Sequence, residues 1–157
     1  MILAIVGVVS QAEERKHMIV LKDTKITATD SKAVAKVFQG LLAVEDTIDQ
    51  DKEHYYVMHI DARNKVKMVE LVGLGTVNSA SIHPRETFTR AVSERSVSII
   101  IAHNHPSGSV EPSENDLKIT SQLQKAGEIL GIQLFDHIIF SKEKYFSVKE
   151  NREEVRL

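Results

Sequence analysis

The chain has 157 residues, 42% apolar and 27% charged, which is the size and balance of one globular domain able to bury a single core. It contains no cysteine, which excludes a disulfide scaffold, a Cys-ligated zinc finger, an iron–sulfur cluster and a thiol nucleophile. Its 20 basic and 22 acidic residues leave a charge of −2, so charge gives no support to unaided tight binding of nucleic acid.

Residues 1–9, MILAIVGVV, form the longest apolar run. The run is too short to span a membrane, and no basic region precedes it or small-residue cleavage site follows it. We read it as a buried strand and expect a cytoplasmic protein without a membrane association. Residues 11–30 carry the weakest signal; HMIVLKDTKIT reads as a strand with a turn at Asp23. Asp30 and Ser31 are good N-caps, and Val34, Val37, Phe38, Leu41 and Leu42 recur at helical spacing, predicting a helix to about Ala43. EDTIDQDKE reads as an acidic loop. YYVMHID and VKMVELVG read as strands joined by the loop ARNK, a hairpin broken at Gly73 and Gly75. TVNSASI reads as a further strand. Pro84 opens a helix that runs to about Arg95. SVSIIIA reads as a strand buried on both faces, and HNHPSGSVEP as a loop. A long helix from Ser113 to about Leu130 ends at Gly131. IQLFDHIIF and YFSVKE close the sheet, and the charged tail NREEVRL frays. Interleaved helices and strands with a hairpin predict an α/β (α+β) class, a mixed central sheet flanked by helices. The boundaries expected are an N-terminal extension over 1–25, a domain over 26–149 and a tail over 150–157.

The chemistry sits in AHNHPSGSVEPSEND, residues 102–116. His103 and His105 are two apart at the end of an apolar strand, so both rings face the same side. Asp116 lies in the first turn of the next helix, where the intervening loop can return it beside the rings. Two neutral imidazoles and one carboxylate make a catalytic-type zinc set with a position left for water. Ser113-x-x-Asp116 also reads as a capping box. Pro106, Ser107 and Gly108 by themselves mean a turn. His-Glu-x-x-His, P-loop and Gly-x-Ser-x-Gly motifs are absent, and the zinc deaminases require cysteine ligands.

HNHPSG…PS…D resembles the JAMM (MPN+/JAB) metallopeptidase signature, His-x-His-x7-Ser-x2-Asp, which is paired with an upstream Glu. GTVNSASIHPRETF, AHNHPSGSVEPSENDLKIT and LFDHIIF resemble, in the same order, the blocks of its bacterial RadC-like branch. The resemblance covers about residues 26–148. It implies a JAMM/MPN-type (cytidine-deaminase-like) fold, a Zn2+ ion on His103, His105 and Asp116, and a Glu acting as general base. Glu53, Glu70 and Glu86 are the candidates. Glu86 suits a helix start and Glu70 a salt bridge. The family's Glu stands at the start of a strand about fifty residues upstream of the histidines, which selects Glu53. Ser113 matches the serine whose hydroxyl supports the oxyanion. Asn104, between the ligands, is expected to face away in a structural role. Asp136 and His137 read as a core polar pair, with a hydrogen bond to a ligand histidine as the alternative.

The implied activity is zinc-dependent hydrolysis of a peptide or isopeptide amide bond, with a peptide or protein substrate. The alternatives are a RadC-like module that acts in DNA repair or recombination by binding, or a metal-dependent nuclease. RadC-like chains usually carry a helix-hairpin-helix region, and the roughly 25 residues before the match hold no Gly-x-Gly hairpin. A catalytic-domain-only member or short variant is therefore expected. An exposed edge among the terminal strands is compatible with a homodimer.

Overall fold

The structure is a computed structural model, and it describes residues 18–20, 25–75, 82–151 and 153. The expected strand at 1–9, that at 76–82 except Ile82, the turn at Asp23 and most of the charged tail lie outside the described residues. The described elements are β1 (Met18–Val20), α1 (Ser31–Ala43), α2 (Thr47–Gln50), β2 (His54–Ile60), β3 (Val66–Leu74), α3 (Pro84–Ser93), β4 (Ser98–Asn104), α4 (Glu114–Leu130), β5 (Gln133–Phe140) and β6 (Tyr145–Ser147). The strands form one six-stranded sheet in the order β1-β3-β2-β4-β5-β6. All neighbours are antiparallel except β4 and β5, which run parallel with α4 as their crossover. The sheet is mixed and helices cover both faces, as the α+β reading requires.

Strand alternation builds the two cores. On one face, Tyr56, Met58 and Ile60 of β2, Ile100 and Ala102 of β4, and Ile138 and Phe140 of β5 meet Val34, Phe38, Leu41 and Leu42 of α1. Phe38 stacks on Phe140 with ring centroids 5.8 Å apart. On the other face, Tyr55 and Val57 of β2 and Ile99 and Ile101 of β4 meet Phe88 and Ala91 of α3 and Ile119 and Leu123 of α4. Every residue of β2 and β4 is buried, which explains why neither reads as an alternating strand.

Local chemistry sets the ends of the helices. The Asp30 carboxylate accepts from the Ala33 N–H at 2.9 Å and starts α1. Gly131, with φ of 70°, ends α4 in the left-handed region. Three boundaries differ from the sequence reading. The acidic stretch after α1 is not all loop: Thr47–Gln50 forms α2, and Gln50 Nε2 donates to the Glu45 carbonyl at 2.8 Å. Helix α3 stops at Ser93, and Arg95 takes a φ of 52°. β4 runs on through His103 and Asn104 rather than ending at Ala102, because the ladder to β5 continues there and then passes to the His105 N–H, which donates to the Phe140 carbonyl at 2.9 Å. No helix among the described residues is long and apolar enough to cross a membrane.

Candidate metal centre

The parallel β4–α4–β5 unit brings the C-terminal end of β4 beside the N-terminus of α4. In open sheets with helical crossovers, sites form at this carboxyl end. His103, the sixth residue of β4, shares the face of Ile99 and Ile101. His105 follows one step past the strand, where Gly108 donates its N–H to the His105 carbonyl at 3.0 Å in a turn with Gly108 at φ of 85°. That left-handed turn suits glycine and sends the chain back towards α4. Asp116 sits in the first turn of α4, where the helix dipole favours a carboxylate. One donor atom from each of His103, His105 and Asp116 lies within 4.8 Å of the other two. The two Nε2 atoms are 2.9 Å apart, and Asp116 Oδ1 is 3.3 Å from His103 Nε2.

The surrounding hydrogen bonds determine where the ring protons sit. Thr120 Oγ1 donates to the Asp116 carbonyl at 2.7 Å and lies 2.6 Å from His137 Nδ1. Both contacts are satisfied when His137 Nδ1–H donates to Thr120. His137 is buried, and burial holds its imidazole well below the usual pKa, hence neutral. Its Nε2 is therefore an acceptor and takes the Nδ1–H of His103 at 2.9 Å. This leaves His103 Nε2 with a bare lone pair. Burial, opposed by Asp116 and reinforced by His105, lowers the His103 pKa to about 4, so this ring too is neutral near pH 7. His105 Nδ1 lies 2.9 Å from the Ser109 carbonyl, which only accepts, so in the neutral ring His105 Nε2 is the nitrogen with the lone pair. Asp116 Oδ2 receives the Ser113 N–H and the Ser113 hydroxyl, each at 2.7 Å, leaving Oδ1 turned to the rings. Two imidazole lone pairs and a carboxylate oxygen thus converge with no proton among them. Such a grouping repels itself unless a cation sits within it, and this donor set fits a divalent metal ion of the zinc type.

The other expected residues fall as follows. Ser113 is both the N-cap of α4 and the partner of Asp116; its Oγ accepts the Asp116 N–H at 3.1 Å, completing the capping box. Its hydroxyl proton points at the carboxylate rather than into open space. Glu53 immediately precedes β2, half-buried, and its carbonyl accepts from the Gly75 N–H at 2.9 Å. Tyr55 pairs with His103 across the β2–β4 ladder. Glu53 therefore stands two residues before Tyr55, where the β2–β4 pairing ends. Glu70 lies elsewhere, paired with Arg90 at 3.1 Å and with His59 at 3.4 Å. Glu86 is exposed at the start of α3 beside Arg85.

Asp136 and His137 are both buried, and the His137 N–H donates to Asp136 Oδ1 at 2.7 Å, but the expected alternative, a hydrogen bond from His137 to a ligand histidine, is present as well. Successive strand residues face opposite sides. His137 reaches the metal face, while Asp136 receives the Ser147 hydroxyl at 2.6 Å and the Lys149 N–H at 3.0 Å towards the α1 side. Thr120 was not singled out by the sequence reading, although it lies four residues after Asp116 and so on the same helix face. Beside His105 opens a cleft of about 350 Å3, lined by both Asp51 and Glu143 and by Lys142 and Lys144.

Comparison with known proteins agrees with this geometry. Residues 28–153 match the family described as the RadC-like JAB domain. A UPF0758 protein of Chlorobium chlorochromatii (strain CaD3) is 48% identical over 102 residues, 65% of this chain and 46% of the relative. A UPF0758 protein of Desulforudis audaxviator (strain MP104C) is 43% identical over 108 residues, 69% of this chain and 47% of the relative. One from Clostridium kluyveri is 42% identical over 111 residues, 71% of this chain and 49% of the relative. The chain therefore spans about half the length of the curated relatives it matches. With the His-His-Asp cluster at the C-terminal end of an interior strand of a mixed sheet and most of its length matched, the chain belongs to the RadC-like JAB domain family.

Proposed function

We propose that the chain is a zinc-dependent hydrolase of a peptide or isopeptide amide bond. One observation carries this reading: both imidazole Nε2 atoms and a carboxylate oxygen of Asp116 converge, and the Nδ1 partner of each ring leaves Nε2 as the lone-pair nitrogen of the neutral imidazole. His103, His105 and Asp116 would hold the zinc ion. When bound, zinc supplies Lewis acidity, which acidifies water and polarises a carbonyl. Glu53 takes the proton of the attacking water on its carboxylate and delivers it to the leaving amine as the C–N bond breaks. The Ser113 hydroxyl, turned from Asp116 Oδ2, donates to the oxygen that gains charge on the carbonyl carbon. His137 and Thr120 keep the His103 lone pair available by holding its ring in one tautomer.

The cleft beside His105 supports a peptide or protein over nucleic acid. Its charges are of both signs, so it lacks the basic groove that phosphate backbones need. Binding of DNA and metal-dependent cleavage of a phosphodiester are therefore the less favoured readings.

The test begins with the metal content of protein purified without chelator, beside a His103→Ala/His105→Ala variant. The expected result is about one zinc per chain, lost in the variant. Hydrolysis of quenched-fluorescent peptides and of lysine-linked isopeptides by the zinc-loaded chain is then measured. A chain that takes up no zinc when zinc is supplied overturns the proposal.

A further inference from the structure

Asn104 lies between the two metal-ligand histidines but faces the other way, and it is buried. Its carboxamide makes two hydrogen bonds, one to the first residue of β2 and one to the segment just before it. Oδ1 accepts the N–H of His54 at 2.6 Å, and Nδ2 donates to the carbonyl of Lys52 at 3.0 Å. Lys52 and His54 are the residues on either side of Glu53. The carbonyl of Glu53 itself is held by the Gly75 N–H at 2.9 Å. Gly75 has a φ of 118°, so a residue with a side chain is strained there.

The bonds replace a failing ladder. Backbone pairing of β2 with β4 is regular from Ile60↔Ser98 to Tyr55↔His103. Beyond it the backbone N–H of His105 turns to β5 and bonds the Phe140 carbonyl. The His54 N–H and the Lys52 carbonyl, which also lies 3.0 Å from His54 Nδ1, stand beyond that backbone pairing, and the Asn104 side chain reaches both. A primary carboxamide offers one acceptor and two donors, so it can stand in for a peptide group. Asp in its place has no donor for the Lys52 carbonyl, Leu has neither function, and Gln is one methylene longer.

We propose that Asn104 is the positioning residue of Glu53: it clamps the backbone on both sides of the general base and so fixes the carboxylate over the metal centre. The inference rests on the reading of Glu53 as general base. It gives one tripeptide, His103-Asn104-His105, both tasks: its outer residues hold the metal, and its middle residue holds the base. Rigid placement matters because proton transfer is lost when a donor or acceptor moves by about 1 Å.

The experiment uses the full chain with Asn104→Ala and Asn104→Asp, and it has three readouts. The first is amide hydrogen exchange in the metal-free protein. His54 in Asn104→Ala should exchange at least about tenfold faster than in wild type while Val57, in the middle of β2, is unchanged. In Asn104→Asp, His54 should stay protected, because a carboxylate oxygen still accepts its N–H. The second is zinc affinity, which should be unchanged in both variants. The third is turnover of the peptide probe found for the wild type. Asn104→Ala should lower kcat about 100-fold with little change in KM, and Asn104→Ala/Glu53→Gln should be no slower than Glu53→Gln alone.

Unchanged exchange at His54 overturns the proposal. So does zinc affinity lowered as far as in His105→Ala, since Asn104 would then support the ligands. A double variant slower than Glu53→Gln by the full Asn104→Ala factor overturns it as well. If Asn104→Ala fails to fold, Asn104→Asp decides: retained His54 protection with lowered kcat supports the clamp, and wild-type kcat overturns it. Failure of the underlying reading looks different, because Glu53→Gln would then hydrolyse at the wild-type rate while the exchange and zinc results stayed as they were.

Discussion

At the scale of single residues, the centre is governed by which nitrogen carries a proton. The chain Asp116 carbonyl, Thr120 hydroxyl, His137, His103 begins and ends on metal-ligand residues, so helix α4 and strands β4 and β5 are tied into one hydrogen-bonded circuit. Breaking it at His137 leaves the buried His103 Nδ1–H without a partner and frees the ring to turn. His137→Ala is expected to weaken zinc binding by about 10–100-fold, measured by competition with a chromophoric chelator. Thr120→Val, close in shape but without the hydroxyl, should move affinity in the same direction by less. Glu53→Gln separates binding from chemistry. It should bind zinc as the wild type does and lose turnover by about 100-fold or more, because an amide cannot accept the proton. The ligand triad was legible in the sequence because i, i+2 spacing on a strand and a first-turn carboxylate are local patterns. The role of His137 was legible only as an alternative, since its partner lies 34 residues away and only the parallel β4–β5 pairing brings the rings within 2.9 Å.

At the scale of elements, the local signals placed α1, β2, β3, α3 and α4 to within a few residues. Each carries a cap, a proline or glycine stop, or a run of apolar residues. What local signals miss is set by neighbours. Helix α2 owes its single turn to contacts of Gln50 with the end of α1, and β4 extends through Asn104 because β5 lies alongside. The junction of α4 with β5 is equally non-local. A Cβ on Gly127 would stand 2.3 Å from the Ile132 carbonyl oxygen and 3.3 Å from the Phe88 ring. The ring can yield, but the backbone carbonyl, which accepts nothing in exchange, cannot move without shifting the start of β5. Gly127→Ala should therefore destabilise the chain by about 1–3 kcal/mol, despite the better helix propensity of Ala, as read by urea unfolding. At the other end of α4, Ser113→Ala removes the cap and one hydrogen bond to Asp116. A loss of about 1 kcal/mol is expected, with weaker zinc binding because Oδ2 is no longer restrained. A stability loss without any change in zinc affinity would mean that the Ser113 hydroxyl does not restrain Asp116 as a ligand.

At the scale of the whole molecule, the buried neutral histidines make folding depend on pH. Burial is the leading cause that lowers both His103, to about 4, and His137. An unfolded histidine titrates near 6.5, so the unfolded chain takes up protons first as the pH falls. Stability rises with pH wherever the unfolded state binds more protons. The contribution of these rings is therefore complete above about pH 6.5 and is lost progressively towards pH 4. Asp136 works in the opposite sense: burial raises its pKa against the hydrogen bonds from Ser147, Lys149 and His137, so acidification relieves rather than adds to its cost. The two histidines should dominate because their window lies above the ordinary carboxylate range. For His103 alone, moving the metal-free protein from pH 7 to pH 4.5 should cost about 2–3 kcal/mol in urea-unfolding free energy. Zinc steepens the fall, since protons compete with the cation for the same nitrogens. His103→Ala/His105→Ala should flatten the metal-free profile while lowering its plateau. A wild-type profile that stays flat from pH 7 to pH 4.5 would mean that His103 takes up its proton at the same pH in the folded as in the unfolded chain, so that burial does not hold it neutral.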